Sequence, residues 1–424
     1  MTNSISFSLH SKKDQTLQTQ DYCYLPGLHV IYGESGAGKT DFIKLLIGND
    51  GNNSKHYTIS KDFNNIDVNV IYQNPDLQII SNTIENELAF SLECSSNDTK
   101  YIEKKLNIVK NELLFSVDTN RHPVTLSGGE KELLNISTAF LLPSRLILID
   151  DALSFLSDKL KSKVTQQYFT KKQSESVIIW FTSDESDLNY GETKWELTSQ
   201  GLLEIDIKPL NEIPKRSIQK GKFALDIKNL DFSYDNKNPI FRNFSKYINN
   251  FRCLGIIGDN GSGKSTLASL LLELEKPISG SINLNYQDKN IDIGYLDQFP
   301  EKLLGIMTLR EFVNILIKHG KIENNQLKNI ISKLSSSNLY WEDINNSLAL
   351  DLPWTTLRIA LIIILLNCNY DLLILDEPTF GMGIQQKQEL QSYLHKYLEE
   401  KHLILISHDH KFIGRICDSI IELQ

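Results

Sequence analysis

Two stretches of this chain carry residues spaced to hold phosphate. Gly33-Glu34-Ser35-Gly36-Ala37-Gly38-Lys39-Thr40 and Gly258-Asp259-Asn260-Gly261-Ser262-Gly263-Lys264-Ser265 both fit G-x-x-x-x-G-K-[ST]. Glycines in such a loop let successive backbone N–H groups turn inward around a phosphate. The lysine reaches the β- and γ-phosphates, and the hydroxyl of Thr40 or Ser265 ligates Mg²⁺. Each loop follows a short apolar run, His29–Tyr32 or Leu254–Ile257, and opens a helix that continues in the second copy through Thr266. A glycine-rich turn that matched by chance would lack this strand-and-helix context, so the pattern predicts nucleoside triphosphate binding, twice.

Other groups with chemical potential stand at the ends of apolar strands. Leu372–Leu375 runs into Asp376 and Glu377, a pair placed to hold Mg²⁺ through water and to polarise a water attacking a γ-phosphate. His402–Ile406 leads to His408, at the carboxyl end of a strand, where open α/β sheets bind ligands. In the first half, Leu146–Ile149 ends in Asp150 and Asp151. Just over twenty residues before Asp150, Ser127-Gly128-Gly129 opens a helix, offering free N–H groups and the positive end of its dipole to an anion.

These parts repeat. Lys39 and Lys264 are 225 residues apart, Gln73 and Gln298 also 225, and Asp150 and Asp376 226. A period this long marks a duplicated domain, since solenoid repeats run to roughly 50 residues at most. The expected organisation is a first domain over 1–208, a polar linker over 209–222, and a second domain over 223–424. With 41% hydrophobic and 23% charged residues, the chain can build ordinary cores. Five scattered cysteines without a C-x-x-C pair argue for a reducing compartment and against zinc or an iron–sulfur cluster. The N-terminus lacks the apolar core of a signal peptide, and Ile359–Leu366, the longest apolar run, is far short of the ~20 residues a membrane helix needs. A net charge of −9 disfavours nucleic acid as a partner.

Taken together, the phosphate loops, the carboxylate strands and Leu126-Ser127-Gly128-Gly129-Glu130 resemble the ATP-binding cassette (ABC) ATPases. The resemblance spans nearly the whole chain. It implies an α/β fold of two tandem P-loop NTPase domains, each a mostly parallel sheet core with a small helical subdomain, and ATP and Mg²⁺ as ligands. It also implies head-to-tail pairing, with each ATP held between the P-loop of one cassette and the signature of the other. The glutamine loops, Gln73-Asn74-Pro75-Asp76-Leu77-Gln78 and Gln298-Phe299-Pro300-Glu301, and the stretch Pro378–Gly381 are similar to those of energy-coupling factor (ECF) importers. That narrower likeness implies an integral-membrane T-type partner, a separate substrate-binding membrane component, and a peripheral location on the cytoplasmic face of the membrane. Asp76 and Glu301 would then meet basic residues of the T component. Vitamin, vitamin precursor, amino acid and metal ion all stay open as cargo.

The halves are not equivalent. Counted back from Asp376, the second signature falls on Leu352-Pro353-Trp354-Thr355-Thr356. Pro353 has no N–H to donate, and Trp354 puts a large ring where backbone should approach phosphate. The first half carries the complementary losses: Asp151 stands in place of Glu377 and Ser183 in place of His408. Tyr234, the aromatic expected under adenine, precedes Gly258 by 24 residues, and the same offset before Gly33 lands on Leu9. Head-to-tail pairing gathers Lys264, Ser265, Asp376, Glu377, His408, Gln298 and Tyr234 with the intact Ser127–Gly129 in a complete site. Glu377 orients water there, with His408 as its partner, and Gln298 reports the γ-phosphate to a docked membrane helix. Lys39, Gln73, Asp151, Ser183 and Leu9 with the broken signature make a degenerate site, in which the surviving Lys39, Thr40 and Asp150 still hold Mg-nucleotide.

Helix-period segments at Thr83–Leu92 and Leu309–Lys318 would form the helical subdomains, and Leu357–Leu366 a buried helix. Conventional ABC importers and exporters are a nearby alternative, the latter usually carrying their own membrane spans, and two further alternatives compete. A soluble translation-type tandem ATPase resembles its own group in a long charged helical insert and two intact sites, both missing here. An idle nucleotide-binding scaffold conflicts with the full residue set around Lys264.

Overall fold

Runs of Val, Ile and Leu bounded by glycine and charged turns dictate most of the architecture, because strands covered on both faces read as continuous apolar segments. A computed structural model describes residues 4–11, 20–48, 57–63, 66–95, 98–115, 117–198, 200–206, 219–234, 239–259, 261–287, 289–323 and 325–423. The chain divides into two units, the first Met1–Leu210 with Gly381–Ile384, the second Asn211–Phe380 with Gln385–Gln424. Most of the expected 209–222 linker lies outside the described residues.

In the first unit, β1 (Ile5–Ser11) pairs antiparallel with β2 (Gln20–Tyr24) and β4 (Tyr57–Lys61). The main sheet comprises β3 (Gly27–Tyr32), β5 (Val68–Ile71), β6 (Leu146–Asp150), β7 (Val177–Thr182), β8 (Thr193–Thr198) and β9 (Gly201–Glu204). Their order is β5-β6-β7-β3-β8-β9, parallel except for the β8–β9 hairpin. The helices Ile84–Ser95 and Thr99–Glu112 form a separate apolar cluster with the start of Gly128–Ala139, around Ile84, Leu88 and Leu134.

The second unit repeats the plan. β10 (Phe223–Phe232) pairs antiparallel with β11 (Phe241–Phe251) and β13 (Ser279–Tyr286). β12 (Cys253–Gly258), β14 (Ile293–Leu296), β15 (Leu372–Asp376), β16 (His402–Ile406) and β17 (Ser419–Leu423) form an all-parallel sheet in the order β14-β15-β16-β12-β17. Leu309–Lys318 and Gln326–Ser336 are its separate helices, and Trp354–Leu366 packs as the expected buried helix. The three-stranded antiparallel sheets were not read from the sequence, although Ile5, Phe7 and Leu9 alternate with polar residues along β1; their third strands, β4 and β13, pair across some 46 to 63 residues. No helix among the described residues is long and apolar enough to cross a membrane.

The adjacent parallel strands place all the carboxyl-terminal groups together. In each unit the phosphate loop follows the strand beside the one ending in Ser183 or Ser407–His408, and that strand neighbours the one ending in Asp150 or Asp376.

Candidate functional site

Each phosphate loop has the backbone its glycines allow. Gly36 and Gly38 in the first, Gly261 and Gly263 in the second, sit at φ between 81° and 94°. This left-handed region is disfavoured for side-chain-bearing residues. Gly38 and Gly263 lead directly into the helices Lys39–Ile47 and Lys264–Leu271, whose first amides lack intrahelical partners. A Cβ at Gly263 would lie 2.6 Å from Ile240, so this turn admits no larger residue without movement. Asn260 lies outside the described residues. Thr266 is buried one position beyond Ser265.

At the end of β15, Asp376 accepts a 2.9 Å hydrogen bond from Ser265 Oγ through Oδ2, while its buried Oδ1 has no partner. Burial, with Glu377 beside it, raises its pKa to about 7. The first unit repeats the hydroxyl bond, Thr40 Oγ1 donating to Asp150 Oδ2 at 2.8 Å, and burial lifts Asp150 to about 6. A hydroxyl beside a buried carboxylate with an unsatisfied oxygen is a donor set for a hard, oxygen-preferring cation such as Mg²⁺.

The next residue in both units occupies the left-handed region, Glu377 at φ 48° and Asp151 at φ 53°. Such backbone in a non-glycine residue costs on the order of 1–3 kcal/mol and is found where function needs it. Both donate their N–H to the neighbouring strand at 2.8 Å, Glu377 to Ile406 and Asp151 to Phe181. From this shared backbone the side chains diverge. Glu377 Oε2 accepts from Ser407 Oγ at 2.8 Å, and Oε1 from the His408 amide at 3.1 Å, with His408 Nδ1 at 3.0 Å. Burial opposes its charge, but His408, Lys264 and Ser407 outweigh it and bring the pKa to about 2. Lys264 is held by the carbonyls of Gly258 (2.8 Å) and Asp259 (3.1 Å).

Asp151, one methylene shorter, accepts from the Ser183 amide at 3.1 Å and from the Ser183 hydroxyl. Lys39 joins this pair. Its Nζ donates to Ser183 Oγ at 3.0 Å and to Gly33 O at 2.7 Å, and lies 3.8 Å from Asp151 Oδ2. Lys39 is 7% exposed. Glu34 of the same loop accepts from Tyr32 through its carboxylate at 2.6 Å.

Ser127 caps the helix Gly128–Ala139 in a reciprocal box with Glu130. Glu130 Oε2 takes both the Ser127 amide (2.9 Å) and hydroxyl (2.8 Å). The expected anion site therefore narrows to the amides of Gly128 and Gly129 unless the box opens. Pro353 caps the matching helix without any side-chain bond.

Gln73 and Gln298 each lie two residues beyond a strand end, β5 or β14, at the foot of the helical segments. The acidic residues after them are engaged within their own units: Asp76 with Lys131 Nζ at 2.6 Å, and Glu301 with Trp354 Nε1 at 2.6 Å. This narrows the expectation that both await a partner's basic residues. Tyr234, 62% exposed, rests edge-on against Phe232. Leu9 corrects the assignment of an adenine-side position in the first unit. It is a core residue of β1, paired with Gln20 and Ile59. A fixed offset fails because β2 has five residues where β11 has eleven. Residues 12–19, which follow β1, lie outside the described residues.

Sequence reasoning missed Ser407, which completes the Glu377 cradle, and Arg358, a guanidinium with 1% exposure that donates to the carbonyls of Glu377 and Gln298. The signal for Arg358 was present, as the one charge in Trp354-Thr-Thr-Leu-Arg-Ile-Ala-Leu-Ile-Ile-Ile-Leu-Leu. Arginine is almost never so buried unless its donors are used.

Comparison with known proteins agrees with this geometry. The ABC transporter family profile matches residues 23–154 and again 241–380. The ribose import ATP-binding protein RbsA of Clostridium perfringens (strain 13 / Type A) is 24% identical, over 93% of this chain and 87% of its own length. The "Putative HMP/thiamine import ATP-binding protein YkoD" of Bacillus subtilis (strain 168) is 23% identical, over 99% of this chain and 89% of its own. Among solved structures, "Model of ribosome-bound archaeal Pelota and ABCE1" aligns with a TM-score of 0.67 at 17% identity, covering 94% of this chain and 72% of that one. That likeness speaks to the fold alone. With both phosphate loops inside the matched segments, the chain belongs to the ABC transporter family and carries two of its ATPase cassettes.

Proposed function

We propose that this chain energises an ECF-type importer, hydrolysing ATP at one complete site and holding nucleotide at one degenerate site. The observation that carries the asymmetry is the contrast between Glu377, cradled by Ser407 and His408, and Asp151, drawn into a clamp with Ser183 and Lys39. The glutamine-loop sequences support the importer class. The relative named for HMP/thiamine import supports it too, over nearly the whole chain.

In this reading the second cassette's loop binds the ATP phosphates, and Lys264 leaves its loop carbonyls for the β- and γ-oxygens. Ser265 and Asp376 would hold Mg²⁺, which would supply neutralisation of phosphate charge. Phosphoryl transfer asks for little covalent chemistry, so positioning and electrostatics carry the rate. Glu377, with a pKa near 2, is fully ionised at neutral pH and a weak proton acceptor. Its work is to orient the attacking water, and His408 and Ser407 fix its two oxygens for that task. By the family resemblance, the Gly128 and Gly129 amides complete the site when the cassettes close, within one chain or between two. ATP supplies the contacts that favour closure. Tyr234 offers its exposed face to the base, and Gln298 links the site to a membrane partner.

The importer assignment is tested by expressing the tagged chain in its native host, extracting in mild detergent, and identifying what co-purifies. An integral-membrane T-type protein with a small multi-span substrate binder is the expected outcome. Recovery of ribosomes, or of the chain alone with robust ATPase activity, sinks the importer reading.

A further inference from the structure

The residue that breaks the second signature builds something else. Trp354, at the position of Gly128, stacks on Phe299 with centroids 5.9 Å apart and meets Phe380 edge-on at 4.9 Å. Its Nε1–H donates to Glu301 Oε2 at 2.6 Å. One turn further along the helix, the Arg358 guanidinium lies 5.3 Å from the Trp354 ring and 5.0 Å from that of Phe380. One Nη of Arg358 donates to the carbonyl of Glu377 and the other to the carbonyl of Gln298. Burial lowers the guanidinium to about 10, which leaves it charged at neutral pH.

The two carbonyls belong to the residues on which hydrolysis depends. Glu377 holds its left-handed backbone by its N–H on Ile406 at one side and its carbonyl on Arg358 at the other. Gln298 follows β14, the strand beside β15. A planar guanidinium with two divergent donors spans both carbonyls, while the aromatic rings fix its plane. In the first unit the Arg358 position is Glu132, which accepts from the Phe155 amide, and the Trp354 position is glycine.

We propose that Trp354 and Arg358 are positioning residues for ATP hydrolysis, tying the glutamine loop and the hydrolytic carboxylate of the second unit into one rigid piece. A shift of Gln298 is then passed to Glu377 through a single side chain. The proposal rests on the reading of Glu377 as the residue that orients water.

The test uses the full-length chain: Mg-ATP turnover, affinity for a fluorescent ATP analogue, and thermal unfolding of Arg358→Lys, Arg358→Met, Trp354→Phe and Glu377→Gln. Lysine keeps the charge but cannot span both carbonyls. Methionine keeps the apolar packing without either hydrogen bond. Both should lower kcat by ~10-fold or more, because displacing a reacting group by about 1 Å costs up to ~10². KM and nucleotide affinity should stay within about twofold, and Arg358→Lys should be the milder. Trp354→Phe keeps the stacking, loses the bond to Glu301, and should lower kcat by ~3-fold. Turnover within about twofold of the parent in folded Arg358→Lys overturns the proposal, as does a loss of nucleotide affinity that accounts for the loss of turnover. Should Arg358→Met fail to fold, Arg358→Lys and Trp354→Phe decide it. If Glu377→Gln hydrolyses normally, both the reading of Glu377 and this tie fall. If Glu377→Gln is dead while the Arg358 variants are normal, the tie alone falls.

Discussion

At the residue after each Walker-type aspartate the two units share a backbone conformation but carry Asp151 with Ser183 in one and Glu377 with His408 in the other. That difference gives one loop lysine a second set of partners. At that residue, both units turn left-handed and bond the neighbouring strand at the same 2.8 Å. Glu377 extends to Ser407 and His408, and Lys264 stays on its loop carbonyls. Asp151 stops at Ser183, and Lys39, while keeping the carbonyls of Gly33 and Glu34, also reaches this pair. On the proposed reading, the degenerate site is a rebuilt one. Its phosphate-binding cation has acquired internal partners that a nucleotide must displace.

Neutralising the two carboxylates in turn separates the two units most directly. Glu377→Gln should lower Mg-ATP turnover by at least ~10²-fold, the usual size of losing such a positioned group. Asp151→Asn should leave turnover within about threefold, since it changes only the site without a working carboxylate. Steady-state phosphate release from the two full-length variants is the measurement. Equal losses would place hydrolysis at both sites and end the asymmetric account.

Much of this was legible in the sequence because phosphate chemistry constrains backbone and side chain together. Two loops with glycines at fixed spacing, two strands ending in carboxylates and one Ser-Gly-Gly helix start could be read off and aligned by offset. The same ruler failed at Leu9, where a shorter hairpin broke the register. It was silent about Ser407, whose role depends on which strand lies beside Glu377. Nor could it show that Glu130 already occupies the Ser127 amide, since a capping box and a phosphate site begin with the same residues. Lys39, Asp151 and Ser183 were placed in one site by offset, but their direct contact depends on strand order and was not legible.

That clamp makes a second, smaller prediction. In a Lys264→Ala background, where the second loop is weakened, Asp151→Asn should tighten Mg-ATP binding at the first loop. Lys39 would no longer have to leave an ion pair. The pair is buried, and desolvation offsets much of its Coulomb attraction, which leaves a net worth of about 1 kcal/mol, hence roughly fivefold in Kd. Ser183→Ala should move affinity the same way by less, because Asp151 remains. Calorimetric titration reads both. Unchanged or weaker binding in Asp151→Asn would mean that the clamp supports the phosphate site instead of competing with it.

The smallest effect concerns the aspartates that differ least. Burial raises Asp376 to about 7 and Asp150 to about 6, against 3.8 for an ordinary aspartate. A folded-state pKa above the unfolded one means that the native protein holds a proton the unfolded chain has released. The stabilisation is complete below about pH 4 and is lost as pH rises through the folded pKa, by at most about 1.4 kcal/mol per pH unit for each group. Between pH 6 and 8 the loss should fall mainly on Asp376. Asp376→Asn, neutral throughout, should therefore gain in ligand-free Tm relative to the parent between pH 5 and pH 8. Asp150→Asn should gain less and reach its plateau about one pH unit lower. Differential scanning across that range with chelator present measures both. Parallel Tm curves for parent and Asp376→Asn would show that Asp376 is already ionised in the ligand-free fold. Its unpartnered oxygen would then need a protein or solvent donor in place of a proton.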